Sequence, residues 1–310
     1  IMWQKADLNY HPSKSLAWSN SHATVPTPLH LKNDIFRVFF STRDELNRNR
    51  VGWVEIELGT NIKILNESKK YVLDIGKPGY FDCDGVYGTS IIKTHNELRL
   101  YYAGWNAGKD GLFYSSIGLA ISKNNGRSFK RFSEAPILTR DDIDPWACMA
   151  PFVLRVSKSK WIMWYASGIE IYKDFKGVLR SKYDIKTATS FDGLKWKKTG
   201  KTAISLGTRD TNIARACVLK EKDKFFAWYP YVSKKLNKYS IGYGESKEGF
   251  KFKRLDKSKK AILKPSKNPS EFDSDSVCYP YVFHHKENLY MLYNGNDFGK
   301  TGFGIALWRE

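Results

Sequence analysis

Short runs of alternating apolar and polar residues recur along this chain, and each run is built around an aromatic doublet. The doublets are Phe39-Phe40, Tyr101-Tyr102, Trp164-Tyr165, Trp228-Tyr229 and Leu292-Tyr293, and their second members fall 62, 63, 64 and 64 residues apart. Before each doublet stands an apolar run behind a Pro-like turn, such as Pro151-Phe152-Val153-Leu154 or Pro280-Tyr281-Val282-Phe283. A polar hairpin such as His95-Asn96-Glu97 separates the two. After the doublet, most copies carry a glycine-rich opening such as Ile117-Gly118-Leu119-Ala120 or Ile241-Gly242-Tyr243-Gly244. A glycine turn and then an aromatic follow, as in Asn125-Gly126-Arg127-Ser128-Phe129 and Asp192-Gly193-Leu194-Lys195-Trp196, and the fourth strand is expected to follow the glycine turn and end in that Phe or Trp. Period-2 runs bounded by turn residues read as strands, about four per repeat, and no helical period competes.

A fixed long period of four strands, written five times, predicts an all-β fold: a five-bladed β-propeller with four strands per blade. No repeat can bury its apolar face alone, so residues 1–310 are expected to form one domain. The last repeat supplies strands at about 277–283, 289–294 and 302–308, and then the chain ends. Met2 to Leu8 is expected to pair with the C-terminal strand as the missing fourth, closing the last blade and covering an open edge.

Composition narrows the class. Aromatics make up 15% of the 310 residues, and the formal charge is +19, carried mostly by lysines in turns. Such a surface is either solvated loop or an attraction to an acidic partner. Nucleic-acid recognition motifs are absent. No apolar run approaches a membrane span. Cys83, Cys148, Cys217 and Cys278 show no metal or disulfide spacing and read as buried reduced thiols. With no signal peptide at the start, the expected compartment is the cytoplasm.

Alignment on the turn residues Pro26, Thr89, Pro151, Arg215 and Pro280 brings candidate chemistry together. Five positions earlier stand Ser21, Asp84, Trp146, Asp210 and Asp275, with Asp82, Asp144, Asp273 and His22 beside them. The loops after the doublets add Arg43, Trp105, Asn106, Glu170, Asn294, Asn296 and Asp297. Both series should ring one end of the central channel. Carboxylates can supply acid, base or nucleophile for glycoside cleavage. Asn and Arg hold hydroxyls or a carboxylate, and Trp offers a flat face for a sugar ring. Asp84, Asp275 and Asp210 are the expected catalytic set. The expected substrate contacts are His22, Arg43, Asp82, Trp105, Asn106, Trp146, Arg215, Asp273 and Asn296. The same acids can instead satisfy turns, or gather round a structural Ca²⁺ in the channel. Arg43 can instead pair with Asp44 or Glu45. No other cofactor or metal is expected.

The strings Ala150-Pro151-Phe152-Val153 and Trp164-Tyr165-Ala166-Ser167-Gly168 resemble the five-bladed propeller superfamily of glycoside hydrolase families 32, 43, 62, 68 and 130. Longer strings are similar to a group of bacterial propeller proteins, taken to be glycosidases, that are associated with surface-polysaccharide gene clusters. They include Phe39-Phe40-Ser41-Thr42-Arg43-Asp44, Phe81-Asp82-Cys83-Asp84-Gly85-Val86 and Tyr101-Tyr102-Ala103-Gly104-Trp105-Asn106. Others are Cys278-Tyr279-Pro280-Tyr281-Val282-Phe283 and Tyr290-Met291-Leu292-Tyr293-Asn294-Gly295-Asn296. The resemblance implies a carbohydrate or nucleotide-sugar ligand and glycosidase chemistry at the channel mouth. Family 43 places an Asp just before the first blade's Pro, where this chain has Val25. It places a catalytic Glu two residues before the third blade's Pro, where this chain has Met149. Near Ser90 no Asp stands, and the Asn-Asp-Pro-Asn-type motif of family 32 is absent.

The sequence therefore supports a glycan-active enzyme in bacterial surface-polysaccharide metabolism, using Asp84, Asp210 and Asp275. The alternative is a glycan-binding or scaffold propeller without the standard triad. If Arg43 faces the mouth, an anionic substrate is favoured.

Overall fold

A computed structural model describes residues 2–14, 16–234, 237–261 and 263–309. The chain is all-β, with only short helical turns such as Lys109–Gly111 and Asn296–Gly299. Antiparallel pairing runs through consecutive sets of four strands. The first set is Ser21–Lys32, Ile35–Arg43, Asn49–Glu57 and Lys63–Glu67. The second is Gly85–Lys93, Leu98–Ala107, Phe113–Ser122 and Lys130–Arg131. Cys148–Ser157, Lys160–Lys173, Leu179–Ser190 and Lys197–Ile204 make the third. In the fourth, Cys217–Glu221 and the added strand Asp210–Ile213 both pair with Lys224–Ser233, and Tyr239–Ser246 and Lys253–Arg254 follow. The last set is Cys278–His285, Asn288–Asn294 and Phe303–Arg309, with Met2–Tyr10 against the C-terminal strand. The expected pairing of the chain's two ends is thus present, as Met2↔Arg309 through Tyr10↔Phe303.

The aromatic doublet has a physical cause. Neighbours on a strand point to opposite faces of the sheet, and here both faces are covered, so Trp161 to Ser167 are all buried. First members reach the next set's turn. Tyr101 Oη donates to Gly193 O at 2.8 Å, and Trp164 Nε1 donates to Gly249 O at 2.7 Å. These turns need glycine: Gly193 has φ 74°, and a Cβ there would lie 2.8 Å from the Tyr101 hydroxyl. The turn aromatics Phe129, Trp196 and Phe252 directly precede the outer strands rather than ending them.

Second members stay within their own set and build a clamp. Tyr102, Tyr165 and Tyr293 donate to Asp82, Asp144 and Asp273 at 3.0, 2.8 and 3.0 Å. A cation on the outermost strand completes each: Arg131, Lys198 and Lys5, at 2.8, 2.7 and 2.5 Å. In the fourth set Tyr229 donates to Asp256 at 2.7 Å, and Arg254 bridges Asp256 and Asp210. The four cations are also equivalent in register, opposite Ala120, Ala188, Ala306 and Gly244. Lys5 therefore does for the last set what a fourth strand does in the others. The first set departs from this, with Phe40 in the tyrosine's place and Glu67 opposite Val54, where Glu67 accepts from Tyr10 Oη at 2.7 Å.

The innermost strands are tied to one another by side chains. Thr27 Oγ1 donates to Gly88 O at 3.1 Å, and Thr89 Oγ1 donates to Pro151 O at 2.6 Å. Arg215, fully buried, reaches across to Pro26 O (3.2 Å), Tyr279 O (2.7 Å) and Pro280 O (3.1 Å). Each of four inner strands is bulged where it passes this level, at Thr24/Thr27, Gly88/Ser90, Met149/Phe152 and Cys278/Tyr281. Val25, Ala150 and Tyr279, each directly before its proline, hold φ of 54°, 46° and 48°. Left-handed backbone at a β-branched and an aromatic residue is strained, and bulges of this kind re-aim side chains beside sites.

Candidate functional site

A cavity of about 540 Å³ opens where the bulged inner strands converge. Its floor is the strained positions themselves, Val25, Ala150 and Tyr279, with Thr89 and Ala214. The walls come from the loops after the doublets: Arg43, Trp105 and Phe298. Tyr87, Phe113 and Tyr183 complete an aromatic surround, and Thr24 and Ser115 add hydroxyls. Among the described residues the lining contains no carboxylate. Val25 and Met149, where family 43 enzymes carry carboxylates, both line it and are apolar.

The two predicted series lie side by side. Asn20 N donates to Arg43 O, Asp84 N to Trp105 O, and Asp275 N to Asn296 Oδ1, at 2.7, 3.1 and 2.7 Å. Of the predicted residues, however, only Arg43 and Trp105 reach the lining. Trp105 lies across Gly85, where a Cβ would come within 2.1 Å of its indole, and its Nε1 donates to Asn49 Oδ1 at 3.2 Å.

The predicted acids are engaged elsewhere. Asp82 and Asp273 are clamp acids, bound as described above. Asp210 accepts from Gly207 N at 2.9 Å and pairs with Arg254 at 2.6 Å. Asp275 is exposed and pairs with Lys238. Asp84 Oδ2 accepts from Ala107 N at 2.7 Å, and Ala107 lines the cavity, so Asp84 is the predicted acid joined to its edge. Asp144 sits in the third clamp. Burial pushes its carboxyl up, but Lys198, Ser167, Tyr165 and Lys186 outweigh that and hold it below the ordinary carboxylate range. The acids proposed for a channel Ca²⁺ are thus apart, and no group of three or more His, Cys, Asp or Glu among the described residues is placed to hold a metal.

The remaining candidates frame the site. Trp146 is buried behind the wall, edge-on to Phe113 at 5.6 Å. Asn106 pairs with Tyr114 in the strand ladder. Asn296 ties residues 274–276 to its own loop. Glu170 pairs with Lys182 at 2.6 Å on a hairpin that extends the wall carrying Tyr183. His22 is buried, with Nδ1 2.8 Å from Ser21 Oγ. Burial, then the fields of Arg43, Lys300 and His11, lower it to about 4, so it is neutral near pH 7. Arg215 lies under the floor, and burial lowers it to about 10. Asp44, one of the two alternative partners considered for Arg43, is bound by Arg48 and Arg50 at 2.9 and 2.7 Å.

Sequence reading missed Tyr87, Phe113, Tyr183, Tyr279 and Phe298. A signal for Tyr279 was present: it stands one residue before the aligned turn, as do Val25, Ala150 and Ala214, and all four line the cavity. In this alignment the positions one before the turn residue, rather than five before it, meet in the cavity.

The four cysteines are free thiols, and Cys148, Cys217 and Cys278 are buried. Burial first of all pushes the Cys148 and Cys217 thiols up to about 12. No helix among the described residues is long and apolar enough to cross a membrane.

No family model matches the chain. Among solved structures, a glycosyl hydrolase from Bacteroides ovatus superposes with a TM-score of 0.74 at 14% identity, over 99% of this chain and 94% of that one. A structure described under the GH130 family of mannoside phosphorylases gives 0.70 at 14% identity, over 100% and 94%. A thermostable family-43 glycoside hydrolase gives 0.67 at 15%, over 94% and 93%. At these identities the shared property is the fold, the propeller type of the glycosidase superfamily that the sequence resembles. Two Mycobacterium tuberculosis proteins, uncharacterized protein MT1551 (strain CDC 1551 / Oshkosh) and uncharacterized protein Rv1502 (strain H37Rv), are 34% and 33% identical over 308 residues, 99% of this chain and 99% of each of theirs. The chain belongs to the family of these two mycobacterial proteins.

Proposed function

We propose that this chain is a glycan-active protein, a single five-bladed propeller that holds a saccharide in the cavity on its axis. The five antiparallel sets and the side-chain ties between inner strands support the blade count. The observation that carries the functional reading is the lining. It combines flat aromatic faces (Trp105, Tyr87, Tyr183, Tyr279, Phe298) with a few hydroxyls and one arginine. Sugars present apolar C–H faces ringed by hydroxyls, and a mostly apolar pocket with few placed polar groups suits them. The glycosidase fold of the neighbours agrees.

Binding is the reading the geometry favours over carboxylate-pair hydrolysis. Val25 and Met149 leave the family's usual acid positions apolar, and Asp210 and Asp275 are held by cations away from the lining. Hydrolysis remains the second reading because Asp84 is fixed to the cavity edge through Ala107. A role in surface-polysaccharide metabolism belongs to the same proposal, as does a cytoplasmic site, which the four free thiols support.

The test is a screen of glycans and activated glycosides, followed by two variants. Trp105→Ala should weaken saccharide binding about tenfold by removing the stacking face. Asp84→Asn should leave binding intact. Loss of all turnover in Asp84→Asn with unchanged affinity would install the hydrolase reading. Saccharide affinity indifferent to Trp105→Ala would remove the cavity from the account.

A further inference from the structure

The saccharide reading leaves open which class of sugar enters, and the charge around the cavity narrows it. Arg43 lines the cavity, and its Nε is buried with no hydrogen-bond partner among the described residues. Its Nη2 has only the Tyr87 hydroxyl, at 3.5 Å, the edge of hydrogen-bonding distance. A guanidinium carries five N–H donors. Arg43 is half-buried, and leaving its buried Nε–H unmatched is costly unless a ligand supplies the acceptor. The neighbouring acid cannot do so, because Asp44 is bound by Arg48 and Arg50.

A second cation lies under the floor. Arg215 is fully buried, and its hydrogen bonds go to carbonyls and the Thr27 hydroxyl, with no carboxylate among them. Its Nε is also without a partner. Among the described residues no carboxylate lines the cavity, and neither guanidinium is paired with one. In a low-dielectric pocket an uncompensated positive field acts strongly on an entering anion.

Resting on the saccharide reading, we propose that the cavity selects a sugar bearing an oxyanion, either a uronate carboxylate or a phosphate ester, and that Arg43 holds that group. Arg43 presents a planar fork that matches either oxyanion by paired N–H···O bonds. The Tyr87 hydroxyl lies beside it as a further donor, and Trp105 packs against the ring. Arg215 contributes field from below without touching the ligand.

Calorimetric titration at low ionic strength separates the outcomes. The probes are glucuronate, galacturonate, glucose 1-phosphate, neutral glucose and galactose, and inorganic phosphate. The expected result is that at least one charged sugar binds about tenfold or more tightly than its neutral parent. The uronate and phosphate arms then identify the oxyanion. Arg43→Gln should abolish the preference, bringing charged-sugar affinity down to that of the neutral parent measured on the same variant, and Tyr87→Phe should weaken the preference a few-fold. Unaltered melting temperatures exclude misfolding. Equal affinity for charged and neutral sugars would sink the oxyanion inference and leave the saccharide reading standing. Arg43-dependent binding of inorganic phosphate with no binding of any sugar would do the reverse. A preference that survives Arg43→Gln, or no Arg43-dependent anion binding in any arm, also overturns it.

Discussion

At the clamps, each carboxylate meets a tyrosine hydroxyl and a cation: Asp82 with Arg131, Asp144 with Lys198, Asp256 with Arg254, Asp273 with Lys5. At the cavity, Arg43 and Arg215 have no carboxylate partner among the described residues. The first arrangement gives each acid a cation of its own and joins the outer strand of a set to its second strand. The second is incomplete and sits where a ligand can enter. Acids that are numerous and regularly spaced in a repeat protein thus report on how each repeat is fastened. The informative charge for ligand recognition is the one the fold leaves unmatched.

The sharpest way to break this comparison is to make a clamp resemble the cavity. Asp144→Ala leaves Lys198 and Lys186 without their buried acid and removes the acceptor for Tyr165 and Ser167. Stripping one partner from a buried pair costs about 3–5 kcal/mol, which denaturant unfolding would read. A double variant, Asp144→Leu with Lys198→Met, should recover part of the loss, because one of the two stranded cations is then removed while Lys186 remains. The pH dependence has a definite sign. The folded pKa of Asp144 is lowered, so its contribution is present above the unfolded value of about 3.9 and is lost as pH falls through the folded one. The gap between wild type and Asp144→Ala should therefore be constant above about pH 5 and shrink below about pH 4. A gap that grows on acidification would contradict the clamp.

A gentler test uses the copy that lacks a clamp tyrosine. Tyr293→Phe deletes one buried hydrogen bond to Asp273, worth about 1 kcal/mol. Phe40→Tyr installs the residue used by the other four copies, but in a buried place that packs against Tyr10 and has Glu67 where the others have a cation. It should destabilise by about 1 kcal/mol as well, since the new hydroxyl loses water without a matched partner. A melting temperature raised by Phe40→Tyr would show that the first set tolerates the same clamp.

How much of this was legible in the sequence differs by element. The period and the strand order could be read because the doublet is a local signal: adjacent residues on a doubly covered strand must both be large and apolar. The pairing of Met2–Tyr10 with the C-terminal strand followed from counting strands. The clamps could not be read, since Asp82 and Arg131 lie 49 residues apart, and Asp210 and Arg254 lie 44 apart. Asp210 also belongs to the added strand Asp210–Ile213, which makes a parallel bridge to Tyr183, so equal spacing from the turn does not give it the geometry of Asp84. The cavity floor was hidden for a conformational reason. Left-handed backbone at Val25 and Tyr279 is unfavourable for those residue types, so the residue types alone give no sign of it, yet both line the cavity.

The smallest expected effect concerns Asp275, which the sequence placed among the catalytic acids. Its pairing with Lys238 is between two half-exposed side chains, and such pairs contribute about 0–1 kcal/mol. The backbone contacts that hold its loop come from Asn296 Oδ1 to Asp275 N and Ser276 N, and an asparagine at 275 keeps both. Asp275→Asn should therefore shift the unfolding free energy by less than about 1 kcal/mol and leave saccharide affinity unchanged. Melting temperature and calorimetry on the same preparation check both statements. If affinity or turnover collapsed while the melting temperature held, Asp275 would act on the ligand despite its ion pair. The division between fastening acids and a cavity lined by none among the described residues would then fail at this set of strands, and Lys238→Met would tell whether the cation restrains Asp275 or works with it.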